Sequence, residues 1–220
     1  MRQSFSIAMA AFGSGWILMG LEILAGRMLT PFFGGEIYVW GSIIGVFLAG
    51  LSIGYVLGGW LSKLWPSPWG MAAVLILAAG TLVPVGLFYD WIAEGVAGWD
   101  WPVRWGCLAA AAVLFLPPSV LLGMISPYAV RLTARRMETV GLSAGLLYAI
   151  ATIGSFLGCI LTAFYFILWL GLRVLVLLSA LGLVGLGLIL VAGHSQTLPL
   201  AIRPKNTLII HPPCSLGRCK

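Results

Sequence analysis

A single carboxylate stands deep inside a long apolar stretch of this sequence. Glu22 follows a run of apolar and small residues that begins near Phe5. A charge in such a setting is costly, which makes Glu22 a candidate site for a proton or a cation. Arg27 lies five positions on, about 140° around a helix, and is a poor partner on the same helix. We expect Glu22 to pair with Arg173 or Arg104 or to stay protonated; a structural ion pair is the plainer interpretation.

Four hydroxyl side chains lie in two other apolar stretches. Ser52 and Tyr55 belong to one stretch, and Tyr148 and Thr152 belong to the other. If both stretches are helices, these hydroxyls can line a shared polar cavity. The plainer interpretation is that hydroxyls donate to backbone carbonyls of their own helices.

The residue sets needed for other kinds of chemistry are missing from the apolar stretches. Both histidines stand beyond the last stretch, so no haem site is predicted. Cys107 and Cys159 are single thiols, expected to pack in the core. Cys214 and Cys219 with His211 make only a weak zinc pattern. We therefore predict no catalytic residue, no metal and no cofactor.

The composition of the chain indicates that these residues lie on membrane-spanning helices. Of 220 residues, 61% are apolar and 8% are charged, and the mean hydropathy is +1.07. A soluble domain carries about 25% charged residues, so a soluble domain, a disordered tail and a nucleic-acid-binding protein are excluded despite the net charge of +6. Because a helix satisfies its own backbone hydrogen bonds in lipid, the sequence predicts an all-α polytopic membrane protein.

Six stretches are long enough to cross a bilayer as helices, which takes about 20 apolar residues each. They are residues 5–28, 36–60, 69–89, 104–122, 140–169 and 172–192. The first is predicted to be a permanent helix, since its apolar run is too long for a signal peptide and no cleavage pattern follows. Residues 194–220 contain four prolines and are expected to form a poorly ordered cytoplasmic tail.

The positive charges indicate the orientation. With a cytoplasmic N-terminus, nine Lys and Arg residues lie inside and three lie outside. The positive-inside rule then predicts that both termini are cytoplasmic, in the inner (plasma) membrane of the cell. Arg131, Arg135 and Arg136 form the densest inner cluster, which is expected to fix the topology or to contact anionic lipids.

The second and fifth stretches resemble each other at a shift of 100 positions. Eight of the 26 positions from Glu36 to Leu61 are identical, whereas roughly two are expected by chance. The two stretches run in opposite directions. The repeat therefore predicts an inverted pair of three-helix halves, as in each half of a major-facilitator transporter. Shared glycine-rich composition is the alternative explanation.

Glycines carry half of these identities and define helix faces. The matched residues are Gly41, Gly45, Gly54 and Gly58 with Gly141, Gly145, Gly154 and Gly158. In each stretch the first two glycines and the last two lie on nearly opposite faces of a helix. Small residues let helices approach closely. We expect internal packing, with docking of a partner subunit on one face as the sharper alternative.

Five segments resemble the membrane domain of fused major-facilitator/spermidine synthase proteins. They are 20–22, 26–34, 38–45, 123–131 and 145–155. The resemblance covers about residues 5–193, and its most specific feature is the spacing of Glu22, Arg27 and Pro31 followed by Gly41-Ser42. In that family a cytoplasmic aminopropyltransferase domain follows the bundle and transfers an aminopropyl group from decarboxylated S-adenosylmethionine to putrescine.

The resemblance extends only to the membrane part. The catalytic domain's Gly-rich loop and acidic residue have no counterpart, and residues 194–220 are too few for a nucleotide-binding domain. The chain alone is therefore not expected to be an enzyme. The residues carried over, with no defined role, are Glu22, Arg27, Pro31, Tyr38, Trp40, Pro127, Arg131 and Tyr148.

Three functions remain open from the sequence. The favoured one is a membrane anchor, regulatory or accessory subunit that handles polyamine-like cations and has a cytoplasmic aminopropyltransferase as its partner. The second is a half-size major-facilitator-like transporter that works as a dimer. The third is a structural subunit of a larger membrane complex. All three predict contact with membrane lipids and assembly into a homo-oligomer or a larger complex, and none involves nucleic acid.

Overall fold

The computed structural model describes residues 2–35, 37–99, 101–133 and 140–195. The helices are α1 Arg2–Phe33, α2 Ile37–Leu64, α3 Pro68–Ala97, α4 Val103–Thr133, α5 Val140–Leu161, α6 Ile167–Trp169 and α7 Leu172–Ser195. A five-residue π-helical segment, Thr162–Phe166, joins α5 to α6 and is called the π segment below. Together α5, the π segment and α6 form one span, Gly141–Trp169.

Six spans within the described residues are long and apolar enough to cross a membrane. The prediction of an all-α, multi-pass membrane protein is confirmed. Several helices are longer than predicted: α3 continues to Ala97 and α4 to Thr133. Hydropathy counts stop where the apolar run stops, whereas the helix continues into the interface. Pro127 does not end α4, since neighbouring helices support a proline within a membrane helix.

The spans pack in two parallel pairs and one antiparallel pair. Close approaches at Gly50, Gly54 and Gly58 run in register along α4, so α2 and α4 are parallel. The same holds for α5 against α1. Helices α3 and α7 are antiparallel, with Gly86 near Val176 and Gly187 near Ala72. We call the end of the bundle where α1 begins the N-terminal end and the opposite end the far end.

Glycine makes both parallel pairs possible. A Cβ on Gly54 or Gly58 would lie closer than 3.0 Å to the backbone of α4 at Val120 or Met124. A Cβ on Gly154 would meet the carbonyl oxygen of Phe12 on α1 in the same way. Backbone cannot move aside as a flexible side chain can, so these positions require glycine at the present helix separation.

The other matched glycines lie on the surface. Gly41 and Gly45 of α2 and Gly141 and Gly145 of α5 are exposed, and among the described residues no atom lies within 4 Å of an added Cβ. The internal-packing interpretation therefore holds for the later two glycines of each helix. The first two glycines of each helix have no packing partner among the described residues and lie on the outer surface of the bundle.

A tyrosine secures the N-terminal end. Tyr128 of α4 is fully buried, and its hydroxyl donates to the carbonyl oxygen of Trp65 in the loop between α2 and α3. The Ser67 hydroxyl accepts from the backbone N–H of Trp69 at 3.3 Å and caps α3, which has Pro68 in its first turn. The loop is thereby held against α4.

Candidate functional site

A polar cleft lies between α1, α2, α4 and α5, with a volume of about 130 Å³. Six hydroxyl-bearing residues line it: Ser14, Tyr55, Ser126, Tyr148, Thr152 and Ser155. We call it the hydroxyl cleft. No carboxylate or basic side chain contributes to its lining, so its chemistry is that of hydroxyl groups and two aromatic rings.

Two of the six hydroxyls are already engaged in their own helices. Ser14 Oγ donates to the Ala11 carbonyl at 3.0 Å, and Thr152 Oγ1 donates to the Tyr148 carbonyl at 2.7 Å. The hydroxyls of Tyr55, Ser126, Tyr148 and Ser155 have no hydrogen-bond partner within the part of the chain that the structure describes. These four hydroxyls are free to bind a ligand.

The structure brings together three of the hydroxyl residues expected from the sequence. Tyr55, Tyr148 and Thr152 share the cleft, whereas Ser52 donates to the Leu48 carbonyl at 2.8 Å and lies outside the lining. Sequence reasoning missed Ser14, Ser126 and Ser155. The 100-residue repeat pairs Ser155 with Tyr55, and this signal could have identified it.

Glu22 lies just beyond the cleft. It is half-buried and follows Leu18, a cleft residue, by four positions. The spacing puts it on the same face of α1, about 6 Å toward the far end. Among the described residues its carboxyl group makes no hydrogen bond or ion pair. Arg27, the candidate that follows it, is exposed.

The expected pairing of Glu22 with Arg173 or Arg104 is wrong. Arg173 forms an ion pair with Asp90 of α3, and its guanidinium lies 5.7 Å from the ring centroid of Tyr89. Arg104 lies 5.8 Å from the ring centroid of Trp105. Both arginines stand in first helical turns at the far end, whereas Glu22 is about three turns before the end of α1.

The remaining predicted residues divide between the surface, the core and the undescribed part of the chain. Arg131 is exposed near the end of α4, and Arg135 and Arg136 lie outside the described residues. Cys107 is a buried thiol, as expected, and Cys159 is partly buried. Cys214, Cys219 and His211 also lie outside the described residues.

The hydroxyl cleft belongs to an exposed face of the bundle. Tyr55 and Tyr148 are 48% and 52% exposed. Along each of α2 and α5, residues on this face follow a spacing of four, three, four and three. They are Gly41, Gly45, Leu48, Ser52 and Tyr55 on α2 and Gly141, Gly145, Tyr148, Thr152 and Ser155 on α5. We call these two rows the α2–α5 seams.

Comparisons of this chain with protein families, curated proteins and solved structures found no match.

Proposed function

We propose that this protein is one half of a major-facilitator-like transporter, in which two copies face each other through their α2–α5 seams and carry a small organic cation. One observation carries the proposal. Tyr55 and Tyr148, whose hydroxyls have no hydrogen-bond partner among the described residues, are half exposed on a helix surface that would otherwise face hydrocarbon. Polar groups at membrane depth normally face protein or a water-filled cavity.

The spacing of the seams supports a second helix layer on this face. A four-three repeat is the spacing at which one helix meets another along its length. Gly41, Gly45, Gly141 and Gly145 have open space where a Cβ would be, and such positions allow close helix contact. A facing copy would cover both seams and enclose the hydroxyl cleft between the two subunits.

Equivalent helix contacts support the inverted repeat. Gly54 and Gly58 meet the carbonyl oxygens of Val120 and Met124, and Gly154 and Gly158 meet those of Phe12 and Trp16. The glycines are related by a shift of 100 positions and the carbonyls by a shift of 108. With the N-terminal end placed on the cytoplasmic side of the inner membrane, the cleft lies in the inner half of the bilayer.

The chemistry of the cleft favours a cation of the amine type. Hydroxyl oxygens accept hydrogen bonds from an ammonium group, and the ring faces of Tyr55 and Tyr148 attract it. Glu22, on the same face of α1, supplies a negative charge close to the cleft. Polyamine-like cations, which the sequence resemblance also implies, meet these requirements.

Uptake by reconstituted protein tests the proposal. Proteoliposomes should accumulate labelled putrescine or spermidine above empty liposomes. Glu22→Gln should lower the initial rate about tenfold or more, and Tyr148→Phe about fivefold, because each removes a partner of the ammonium group. Tyr165→Phe, an exposed tyrosine outside the cleft, is the matched control and should match the wild type. Wild-type uptake no greater than that of empty liposomes would refute transport of these amines.

Crosslinking tests the pairing of copies. In a background without native cysteines, Gly45→Cys or Gly145→Cys should give a covalent dimer in membranes treated with a short bifunctional maleimide. Gly80→Cys is the control, since Gly80 is equally open but lies on α3. If neither Gly45→Cys nor Gly145→Cys gives a crosslinked dimer, or if Gly80→Cys crosslinks equally well, the seam-to-seam dimer is contradicted.

A second candidate function is an anchor for a cytoplasmic aminopropyltransferase. The observation that favours it is the contact between Gly193 and Ser6, which puts the end of α7 beside the start of α1. An enzyme bound near residue 195 would then meet the N-terminal end of the bundle. Purification in mild detergent should in that case recover a one-to-one complex with the enzyme and no seam crosslinks.

A further inference from the structure

A larger cleft lies away from the hydroxyl cleft, between α1, the π segment and α7. Its volume is about 430 Å³. Most of its lining is apolar, including Phe12, Trp16, Leu24, Phe166, Leu178 and Leu186. Gly13, Gly20 and Gly182 also line it; Leu186 and Thr162 pack closely against the first two, and the third leaves space beside α1. We call it the α1–α7 cleft.

The shape of the α1–α7 cleft suits a long, narrow occupant. Its lining follows α1 from Phe12 to Leu24, a rise of about 18 Å. At about 30 Å³ for a water-sized group, its 430 Å³ accommodate roughly fourteen methylene groups. One hydrocarbon chain of common length would fill it.

A buried hydroxyl without a partner points into this cleft. Thr162, the first residue of the π segment, is 4% exposed and lines the cleft. Its Oγ1 lies 3.1 Å from where a Cβ of Gly20 would be. Over the described ranges this hydroxyl has no hydrogen-bond partner. Ser179, by contrast, lines the same cleft but donates to the Leu175 carbonyl at 2.8 Å.

The depth of Thr162 matches that of a lipid ester group. The span from Gly141 to Trp169 has 29 residues, or about 43 Å of helix, against a hydrocarbon core of about 30 Å. Thr162 is seven residues from the far end of this span, about 10 Å below it. Its hydroxyl therefore lies a few ångströms inside the hydrocarbon boundary, where acyl chains begin.

We propose that the α1–α7 cleft binds one acyl chain of a membrane phospholipid and that the Thr162 hydroxyl donates to the ester carbonyl oxygen of that lipid. The aromatic walls favour a flexible chain over a flat ring. Phe12 and Trp16 are inclined by 43°, as are Trp16 and Phe166, so neither of these neighbouring pairs forms a parallel slot. This inference is independent of the transport proposal.

Native mass spectrometry of the full chain, purified in mild detergent and washed free of loose lipid, tests the occupant. The wild type should retain one phospholipid per chain. Gly182→Leu should lose it, because the new side chain enters the cleft, where the nearest atom to a Cβ is Ile17 Cδ1 at 3.6 Å. Gly185→Leu, also on α7 but outside the lining, is the control and should retain the lipid.

A second pair of variants tests the hydroxyl with little risk to folding. Thr162→Val keeps the shape and should weaken phospholipid retention about fivefold, whereas Ser179→Ala should leave it unchanged. Bound phospholipid that survives both Gly182→Leu and Thr162→Val would overturn the proposal. A wild-type protein carrying an isoprenoid quinone or no lipid after washing would overturn it as well.

Discussion

Gly154→Ala should lower the free energy of unfolding of the bundle by about 2 kcal/mol, because over-packing costs about 1–3 kcal/mol. The added Cβ would lie closer than 3.0 Å to the carbonyl oxygen of Phe12, and only separation of α1 from α5 can relieve the clash. Gly145→Ala should have the opposite sign, with a gain of up to about 1 kcal/mol, since alanine is the better helix former at an open position.

Reversible unfolding in mixed detergent micelles, followed by circular dichroism, measures both variants under the same conditions. Gly158→Ala provides a repeat of the destabilising case, because its Cβ would meet the Trp16 carbonyl. If Gly154→Ala and Gly158→Ala are as stable as the wild type, the close parallel packing of α1 and α5 is wrong.

Tyr128→Ala should cost about 3–5 kcal/mol of unfolding free energy, the usual range for emptying a buried aromatic site. Tyr128 is fully buried, and its hydroxyl holds the loop between α2 and α3 through Trp65. Tyr128→Phe should cost only about 1 kcal/mol, because it removes the hydrogen bond and keeps the ring. The difference between the two variants therefore measures the contribution of ring packing.

The same micelle assay measures this series, with Tyr165→Ala as the control at a tyrosine that is 57% exposed. That control should stay within about 0.5 kcal/mol of the wild type. Equal losses for Tyr128→Ala and Tyr128→Phe would mean that the ring contributes nothing. In that case the loop alone would account for the role of Tyr128.

Hydropathy predicted the spans well and their ends poorly. The centre of each span is mostly apolar over about 20 residues, a pattern typical of a membrane helix. The ends carry tryptophans, charges and prolines, such as Trp91 and Glu94 in α3 and Pro127 in α4, all within the helices. Interfacial residues of this kind are compatible with either helix or loop, and tertiary contacts decide.

Helical periodicity placed side chains on faces but did not identify their neighbours. The expectation that hydroxyls of two related stretches share a cavity is met by Tyr55 of α2 with Tyr148 and Thr152 of α5, but not by Ser52. The expected ion pair of Glu22 with Arg173 or Arg104 was wrong, because only the helix arrangement shows that Arg173 pairs with Asp90. The free hydroxyl of Thr162 depends on a π turn, for which the sequence shows no signal.

The glycines also show that the sequence predicts helix faces but not the neighbours of those faces. Spacing predicted two opposite smooth faces on α2 and on α5, which the structure has. It did not indicate which face is packed internally, because Gly45 and Gly54 are chemically identical. The choice depends on the opposing surface, where Val120 and Gly123 of α4 present backbone to Gly54.

The parallel packing of α1 with α5 affects how the chain can assemble during synthesis. Phe12 meets Gly154, which is translated 142 residues later. At roughly 5–20 residues per second, α1 must wait on the order of 10 s for its main neighbour. Until then the small residue Gly15, which packs against the Ala151 carbonyl in the finished bundle, has no partner from α5.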